Sequence, residues 1–114
     1  MTDAQQNFVL RFEGVNAREA GLHAAGLRET LLDTSPDVGV DLNKADGETM
    51  DFGATLILVL GTPAVLAVAK GIAMYLARER AGELVIERDG KVVFKGSSGD
   101  AARIAEALGR KPEP

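Results

Sequence analysis

The sequence predicts an α+β fold in which helices pack on a small, mostly antiparallel β-sheet. Apolar residues recur at every second position in some segments and at every third or fourth position in others. Two apolar runs also flank Asp89-Gly90, the favoured dipeptide of a two-residue hairpin turn. The 114 residues have the length of one domain, and 46% of them are apolar. We therefore expect a single domain over residues 1–110, in the order β-α-β-α-α-β-β-α, and a frayed tail at 111–114.

The first three elements follow from changes in this periodicity. Large apolar residues alternate with other residues from Phe8 to Glu13, which is the pattern of a strand with one buried face. Alanine and leucine then recur at steps of three and four from Ala17 to Leu31, which predicts a helix that ends near Ser35-Pro36. Apolar residues alternate again over residues 38–42 and predict a second strand.

A run of uncharged residues extends from Phe52 to Ala69, close to the roughly 20 residues of a membrane-spanning helix. Gly61-Thr62-Pro63 interrupts it, because proline has no backbone N–H and crowds the preceding turn. Threonine suits an N-cap and proline the first helical position, so we expect a helix from Pro63 to about Arg80. Neither part of the run spans a bilayer alone. Insertion of an interrupted helix into a membrane stays open as an alternative.

The first part of this run, residues 54–60, is apolar without a clear period. A short run of this kind cannot be assigned to a helix or a strand by pattern alone. We favour a helix, so that residues 54–60 and 63–80 would form a helical hairpin. A fifth strand is the alternative, and it would change the order of elements.

A β-hairpin is predicted where residues 84–88 and 91–95 flank Asp89-Gly90. Both of its faces are partly apolar, whereas a sheet covered by helices on one side usually alternates more strictly. We therefore expect the second face of the hairpin to meet another chain. The expected first face carries Leu84, Ile86 and Val93, and the expected second face carries Val85, Val92 and Phe94.

The last element is a helix that we expect to begin at a cap formed by Ser97-Ser98. Asp100 would then lie in the first turn, where the helix dipole favours negative charge. The run Gly96-Ser97-Ser98-Gly99 could also receive an anion on free backbone N–H groups. Because no Gly-Lys-Ser/Thr follows, we interpret it as a helix entry.

Composition restricts the classes of function. A net charge of −4 gives no electrostatic reason to bind nucleic acid, which usually requires a basic patch. The chain has no cysteine, which fits a reducing compartment. The first residues, MTDAQQN, are polar and lack the apolar core of a signal peptide. We therefore expect a cytoplasmic protein.

Few residues of the chain are candidates for catalysis or metal binding. His23 is the only histidine, and we expect it on the exposed side of the first helix rather than in a metal site. The loop at residues 41–47 departs from the calcium-binding pattern, since Ala45 and Asp46 replace a ligand and the glycine. Asp46, Glu48 and Asp51 are interpreted as acids of a solvated loop, with a docking or catalytic site as the alternative. No catalytic, cofactor-binding or metal-binding residue is predicted, and we do not expect an enzyme.

Several segments of the chain form a pattern of apolar and charged residues: Glu48-Thr49-Met50-Asp51-Phe52-Gly53, Gly61, residues 64–73, Tyr75-Leu76-Ala77-Arg78-Glu79-Arg80, Leu84-Val85-Ile86-Glu87 and Asp89-Gly90-Lys91-Val92. By these segments nearly the whole chain resembles the effector-associated constant component family. That family is a small, non-catalytic component of bacterial conflict and defence systems, encoded beside or fused to proteases and NTPases. The chain has Tyr75 where the family commonly shows tryptophan.

The resemblance implies an adaptor with no active site, whose partner would be a protein such as an effector protease or NTPase. A homo-oligomer is compatible with the same apolar surfaces. Two other hypotheses remain: a membrane-active or membrane-anchored protein that uses residues 52–69, and a small enzyme or ligand carrier with a pocket lined by Asp46, Glu48 or His23. The predicted interaction residues are Tyr75, Arg78, Val85, Val92 and Phe94.

Overall fold

Five antiparallel strands form one sheet, and three helices cover one of its faces. The computed structural model describes residues 6–34, 38–44, 54–61, 64–79, 82–97 and 100–109. The sheet has the strand order β2-β3-β1-β4-β5, and each neighbouring pair is antiparallel. The predicted α+β class is therefore confirmed. The elements are β1 (Gln6–Glu13), α1 (Ala17–Thr34), β2 (Gly39–Lys44), β3 (Ala54–Leu60), α2 (Val65–Glu79), β4 (Glu83–Arg88), β5 (Lys91–Gly96) and α3 (Ala101–Gly109).

Residues 54–60 form strand β3, so the preference for a helix there is wrong. The strand lies inside the sheet, where Leu58 pairs with Phe8 of β1 and with Val40 of β2. Its leucines face the helices and are buried, whereas Ile57 and Val59 lie partly exposed on the opposite face. An interior strand is apolar on both faces, which explains why its period is weak. The element order is therefore β-α-β-β-α-β-β-α.

The core lies between the sheet and the helices. Phe8, Leu10 and Phe12 of β1 point into it, as their alternation predicted. The predicted apolar stripe of α1 is also buried there, at Ala20, Ala24, Leu27 and Leu31. Helix α2 contacts both α1 and α3, and Ile72 and Ile104 complete the buried layer.

The hairpin turn forms as predicted. Asp89 and Gly90 both have positive φ angles, 55° and 79°, which is the backbone of a type I′ turn. However, Ile86 pairs with Phe94 and Glu87 pairs with Val92, so Val93 is an extra residue in a β-bulge. The bulge turns Phe94 onto the helix-covered face beside Ile86. The prediction that Phe94 shares a face with Val92 is therefore wrong.

Asp100, rather than serine, caps the last helix. Its Oδ1 accepts hydrogen bonds from the backbone N–H groups of Ala102 at 3.1 Å and Arg103 at 3.3 Å. The aspartate is therefore the residue before the first turn, where its charge also complements the helix dipole. Ser98, the predicted helix start at Thr62-Pro63 and the acids of residues 45–53 lie outside the described residues.

Candidate interaction site

The structure divides the five predicted interaction residues between two surfaces. Tyr75 and Arg78 lie on α2 beside α1, whereas Val85, Val92 and Phe94 belong to the hairpin. Only two are accessible: 59% of the Arg78 side chain and 53% of Val92 are exposed. The other three are buried, with exposed fractions of 4% for Tyr75, 1% for Val85 and 6% for Phe94. These three residues can support a surface formed by other side chains, but they contribute little accessible area themselves.

Tyr75 is held by His23, a contact that the sequence does not indicate. The tyrosine hydroxyl lies 2.9 Å from His23 Nδ1, and Phe12 packs beside both rings at centroid distances of 5.6 and 6.2 Å. His23 is therefore partly buried, and its expected place on the exposed side of α1 is wrong. Gly26 leaves the space for this arrangement, because a Cβ there would approach the tyrosine oxygen to 2.9 Å.

Burial raises the pKa of Tyr75 above its ordinary value of 10.0; Glu79 raises it further, and Arg78 opposes them. The Tyr75 hydroxyl of the folded protein thus keeps its proton at pH values where the same hydroxyl of the unfolded chain has lost it. The stability contributed by Tyr75 is fully present below about pH 10 and is lost as pH rises through the folded pKa.

We expect the free energy of unfolding to fall as pH rises above about 10, and to fall less steeply in Tyr75→Phe. Because Tyr75 is the only tyrosine and the chain has no tryptophan, ultraviolet absorbance reports its ionisation directly. Urea unfolding at several pH values measures the slope. At neutral pH the variant should lose about 1 kcal/mol with its hydrogen bond to His23. Equal slopes in the two proteins would contradict this account.

A groove of about 460 Å³ runs between α1 and α2 above Tyr75. Glu29, Asp33 and Glu79 line it, against the single cation Arg78. Its threonine hydroxyls are used locally, since Thr30 Oγ1 donates to the carbonyl oxygen of Gly26 at 3.0 Å. The groove is therefore an acidic depression whose two threonine hydroxyls are already used within α1.

A second groove, of about 340 Å³, lies between the edge strand β5 and helix α3; we call it the hairpin groove. Its apolar part comes from the strand and from Ala107 of α3. The guanidinium carbon of Arg103 lies 6.0 Å from the centroid of the Phe94 ring, within the range of a cation–π contact. The groove is lined by Val92, Val93, Phe94, Lys95, Arg103, Glu106 and Ala107.

Val85 is buried although it lies on the face of the sheet away from the helices. An ion-pair network covers this part of the sheet: Arg11 pairs with Glu87 and, at 3.2 Å, with Glu13. Lys95 extends the network toward Glu13 at 3.6 Å. The aliphatic stems of such side chains shield apolar neighbours while their charged ends stay hydrated. Val85 is therefore already covered by its own chain.

The two edges of the sheet differ. At the β2 edge, Arg28 Nε of α1 donates a hydrogen bond of 2.9 Å to the carbonyl oxygen of Val40. Strand β5 has no hydrogen-bonded strand on its outer side among the described residues. Proteins commonly obstruct an edge strand with a charged side chain, which discourages pairing with another chain. A side chain of α1 thus occupies part of the β2 edge, whereas strand β5 carries its own charged residues, Lys91 and Lys95.

We expect Arg28→Ala to increase self-association, because the variant leaves a carbonyl of the β2 edge without its side-chain donor. The lost hydrogen bond should also cost about 1 kcal/mol of stability. Sedimentation velocity over a range of protein concentrations measures the association. Arg18→Ala, an exposed arginine of the same helix, is the matched control. If both variants sediment alike at every concentration, Arg28 does not protect the edge.

Comparison with known proteins identifies no relative: no family model, curated protein or solved structure matches the chain. Within the described ranges, no group of three His, Asp or Glu side chains is arranged to hold a metal ion. None of the described helices has the length and apolar character needed to cross a bilayer. The part of the uncharged run at 54–60 is instead a strand of the sheet.

Proposed function

We propose that this protein is a non-catalytic interaction module that couples an effector to a partner protein in a bacterial defence or conflict system. The hairpin groove supports this most directly, since it lies beside strand β5, whose outer side pairs with no other strand among the described residues. Sheet edges are recurrent sites of peptide recognition. The assignment to a bacterial defence or conflict system is inferred from the resemblance of residues 48–92 to the effector-associated constant component family.

The groups most suited to acid–base chemistry have a structural role in this proposal. His23 and Tyr75 are hydrogen-bonded to each other and pack against Phe12. A general base needs a position within reach of a substrate proton. The packing of both rings beside Phe12 favours a role in joining α1 to α2.

Coupling two proteins requires a second surface, and the outer side of α2 is the candidate. Leu66, Lys70, Met74 and Arg78 follow one another at steps of four residues and are all exposed. Residues at this spacing lie on one side of a helix. Exposed leucine and methionine in such a stripe resemble the anchors that helix-binding partners use. The α2 stripe and the hairpin groove are formed by different elements, so two partners could bind at once.

The test is co-expression of the protein with the products of its neighbouring genes, followed by size-exclusion chromatography with light scattering. We expect a complex of defined mass with at least one of them. Met74→Asp should weaken the contact with one partner, and Val92→Asp the contact with the other, because each introduces a charge into an apolar contact. Both positions are exposed, so the fold should tolerate the changes. A protein that stays monomeric and retains no neighbouring product would contradict the proposal.

A further inference from the structure

We infer that the protein forms a homodimer in which α2 of each copy packs on α1 of the other. The inference rests on the proposed function and deepens it, because it names a second copy of the chain as the partner of the α2 stripe. Each copy keeps its own hairpin groove, so the dimer joins the two proteins bound there. Exposed apolar residues and opposite charges on the two helices favour this arrangement.

Helices α1 and α2 carry most of the large apolar side chains that the fold leaves exposed. Met74 of α2 is 63% exposed, and Leu22 of α1 is 64% exposed. Single exposed apolar residues are ordinary, whereas a group of them on neighbouring elements is typical of an interaction surface. Among the described residues, the exposed large apolar side chains are Leu22, Leu32, Leu66, Met74 and Val92, and only Val92 lies outside these two helices.

The charges beside these apolar residues are opposite in sign on the two helices. Leu22, Glu29 and Asp33 are all exposed on α1, and their spacings of about two turns and one turn place them on the same side. The α2 stripe carries cations instead. Its Arg78 pairs with the adjacent glutamate at 3.0 Å, whereas Lys70 has no ion pair among the described residues.

Helices α1 and α2 are antiparallel neighbours. His23 Nδ1 lies 2.9 Å from the Tyr75 hydroxyl, whereas a Cβ at Gly71, one turn earlier on α2, would lie 3.3 Å from Thr34 Oγ1, near the end of α1. Residue numbers thus rise along α2 as they fall along α1. A two-fold axis parallel to the helices, above the groove between them, would place α2 of each copy on α1 of the other. Such a rotation leaves the level of each residue along the helices unchanged, and it uses the same surface of both copies.

This symmetry brings the opposite charges together. Lys70 and Asp33 are next in sequence to Gly71 and Thr34, which lie side by side, so the lysine and the aspartate are at one level. Glu29 is one turn away along α1. Lys70 of each copy would therefore approach both acids of the other copy. Complementary charges favour association and fix its orientation, which favours a second copy as the occupant.

The same arrangement covers exposed apolar side chains. Met74 follows the lysine of the α2 stripe by one turn. It would lie on α1 of the other copy between Glu29 and Leu22, where Ala25 and Gly26 are small and leave space. The two-fold symmetry repeats this burial. Apolar burial thus supplies attraction that exposed ion pairs alone do not.

Sedimentation velocity of the full chain over a range of concentrations measures the dimer. Lys70→Glu and Asp33→Lys should each weaken it by at least about tenfold, because a symmetric interface contains each like-charge contact twice. The variant with both substitutions should return to within about threefold of the native affinity, since the two charges are then exchanged. The native affinity should fall as salt rises.

Met74→Asp and Leu22→Asp should both weaken the dimer, although the two residues belong to different helices. Arg103→Glu reverses an exposed charge on α3 and is the control that should leave the dimer unchanged. All the substituted residues are exposed, so the variants should keep the melting temperature of the native protein. A monomer at every concentration, or a dimer that Lys70→Glu does not weaken, would overturn the inference. A double charge variant that dimerises no better than the single ones would overturn it as well.

These outcomes separate the inference from the proposed function. A monomer that binds a neighbouring gene product refutes the homodimer and leaves the adaptor role standing. A dimer that Lys70→Glu weakens, without any complex with a neighbouring product, supports the homodimer and contradicts the adaptor role. A neighbouring product whose binding depends on Met74 but not on Leu22 or Asp33, with the chain itself monomeric, would assign the α2 stripe to that product and overturn the inference.

Discussion

Gly82→Ala is expected to destabilise the protein by about 2–4 kcal/mol, since it combines an unfavourable backbone conformation with a steric clash. Gly82 has a φ angle of +80°, which costs other residues about 1–2 kcal/mol. A Cβ there would also lie 2.5 Å from the carbonyl oxygen of Glu13. That oxygen is at the end of β1 where Glu13 pairs with Glu83, so it cannot move without disturbing the sheet. Urea unfolding followed by circular dichroism measures the loss.

Gly90→Ala is the matched control for this prediction. Gly90 has nearly the same φ angle, +79°, but a Cβ there would have no atom within 4 Å. Its loss of stability should therefore reflect the backbone conformation alone, about 1–2 kcal/mol. The difference between the two variants isolates the clash with Glu13. Equal losses of stability would show that the backbone near Glu13 adjusts at little cost, contrary to the prediction.

The hairpin shows what local sequence can and cannot predict. The turn depends on two adjacent residues, Asp89 and Gly90, whose preference for positive φ is intrinsic. The bulge depends on how β5 pairs with β4, and one extra residue there exchanges the faces that follow. No feature of the run from Lys91 to Lys95 marks Val93 as that residue. The turn was therefore predictable, and the burial of Phe94 was not.

The sequence of strand β3 contains a weak indication of a strand. Thr55, Ile57 and Val59 are β-branched and alternate with leucine, and β-branched residues favour extended backbone. This alternation favours a strand, although all but Thr55 are apolar. Residues 54–60 form a strand because they pair laterally with β1 and β2, and a local sequence pattern contains no information on this pairing.

The candidate surfaces depend on contacts between distant parts of the chain. His23 and Tyr75 are 52 residues apart, and Arg28 reaches a carbonyl 12 residues away in a different element. Composition favoured an exposed histidine. Composition, however, carries no information on which side of α1 meets Tyr75. Val85 was expected to meet another chain because both faces of the hairpin are partly apolar. In the folded protein the charged side chains of Arg11, Glu13 and Glu87 cover it.

Leu58→Ala is expected to destabilise the protein by about 2–5 kcal/mol, the usual range for truncation of a buried leucine. Leu58 is fully buried in the middle of the sheet, where Phe8 and Val40 flank it on the neighbouring strands. Removing its side chain leaves a cavity that β-sheet neighbours cannot readily fill. The same urea titration as for Gly82→Ala measures the change.

Comparison of Leu56→Ala, Ile57→Ala and Leu58→Ala then distinguishes a strand from a helix at residues 54–60. In a strand, Leu56 and Leu58 lie on the same buried face, and Ile57 lies on the opposite, partly exposed one. Both leucine variants should therefore lose similar stability, and the isoleucine variant clearly less. In a helix, residues two apart point in nearly opposite directions, so Leu56 and Leu58 could not both be buried against one layer. A small effect at Leu58 beside a large one at Leu56 would contradict the strand.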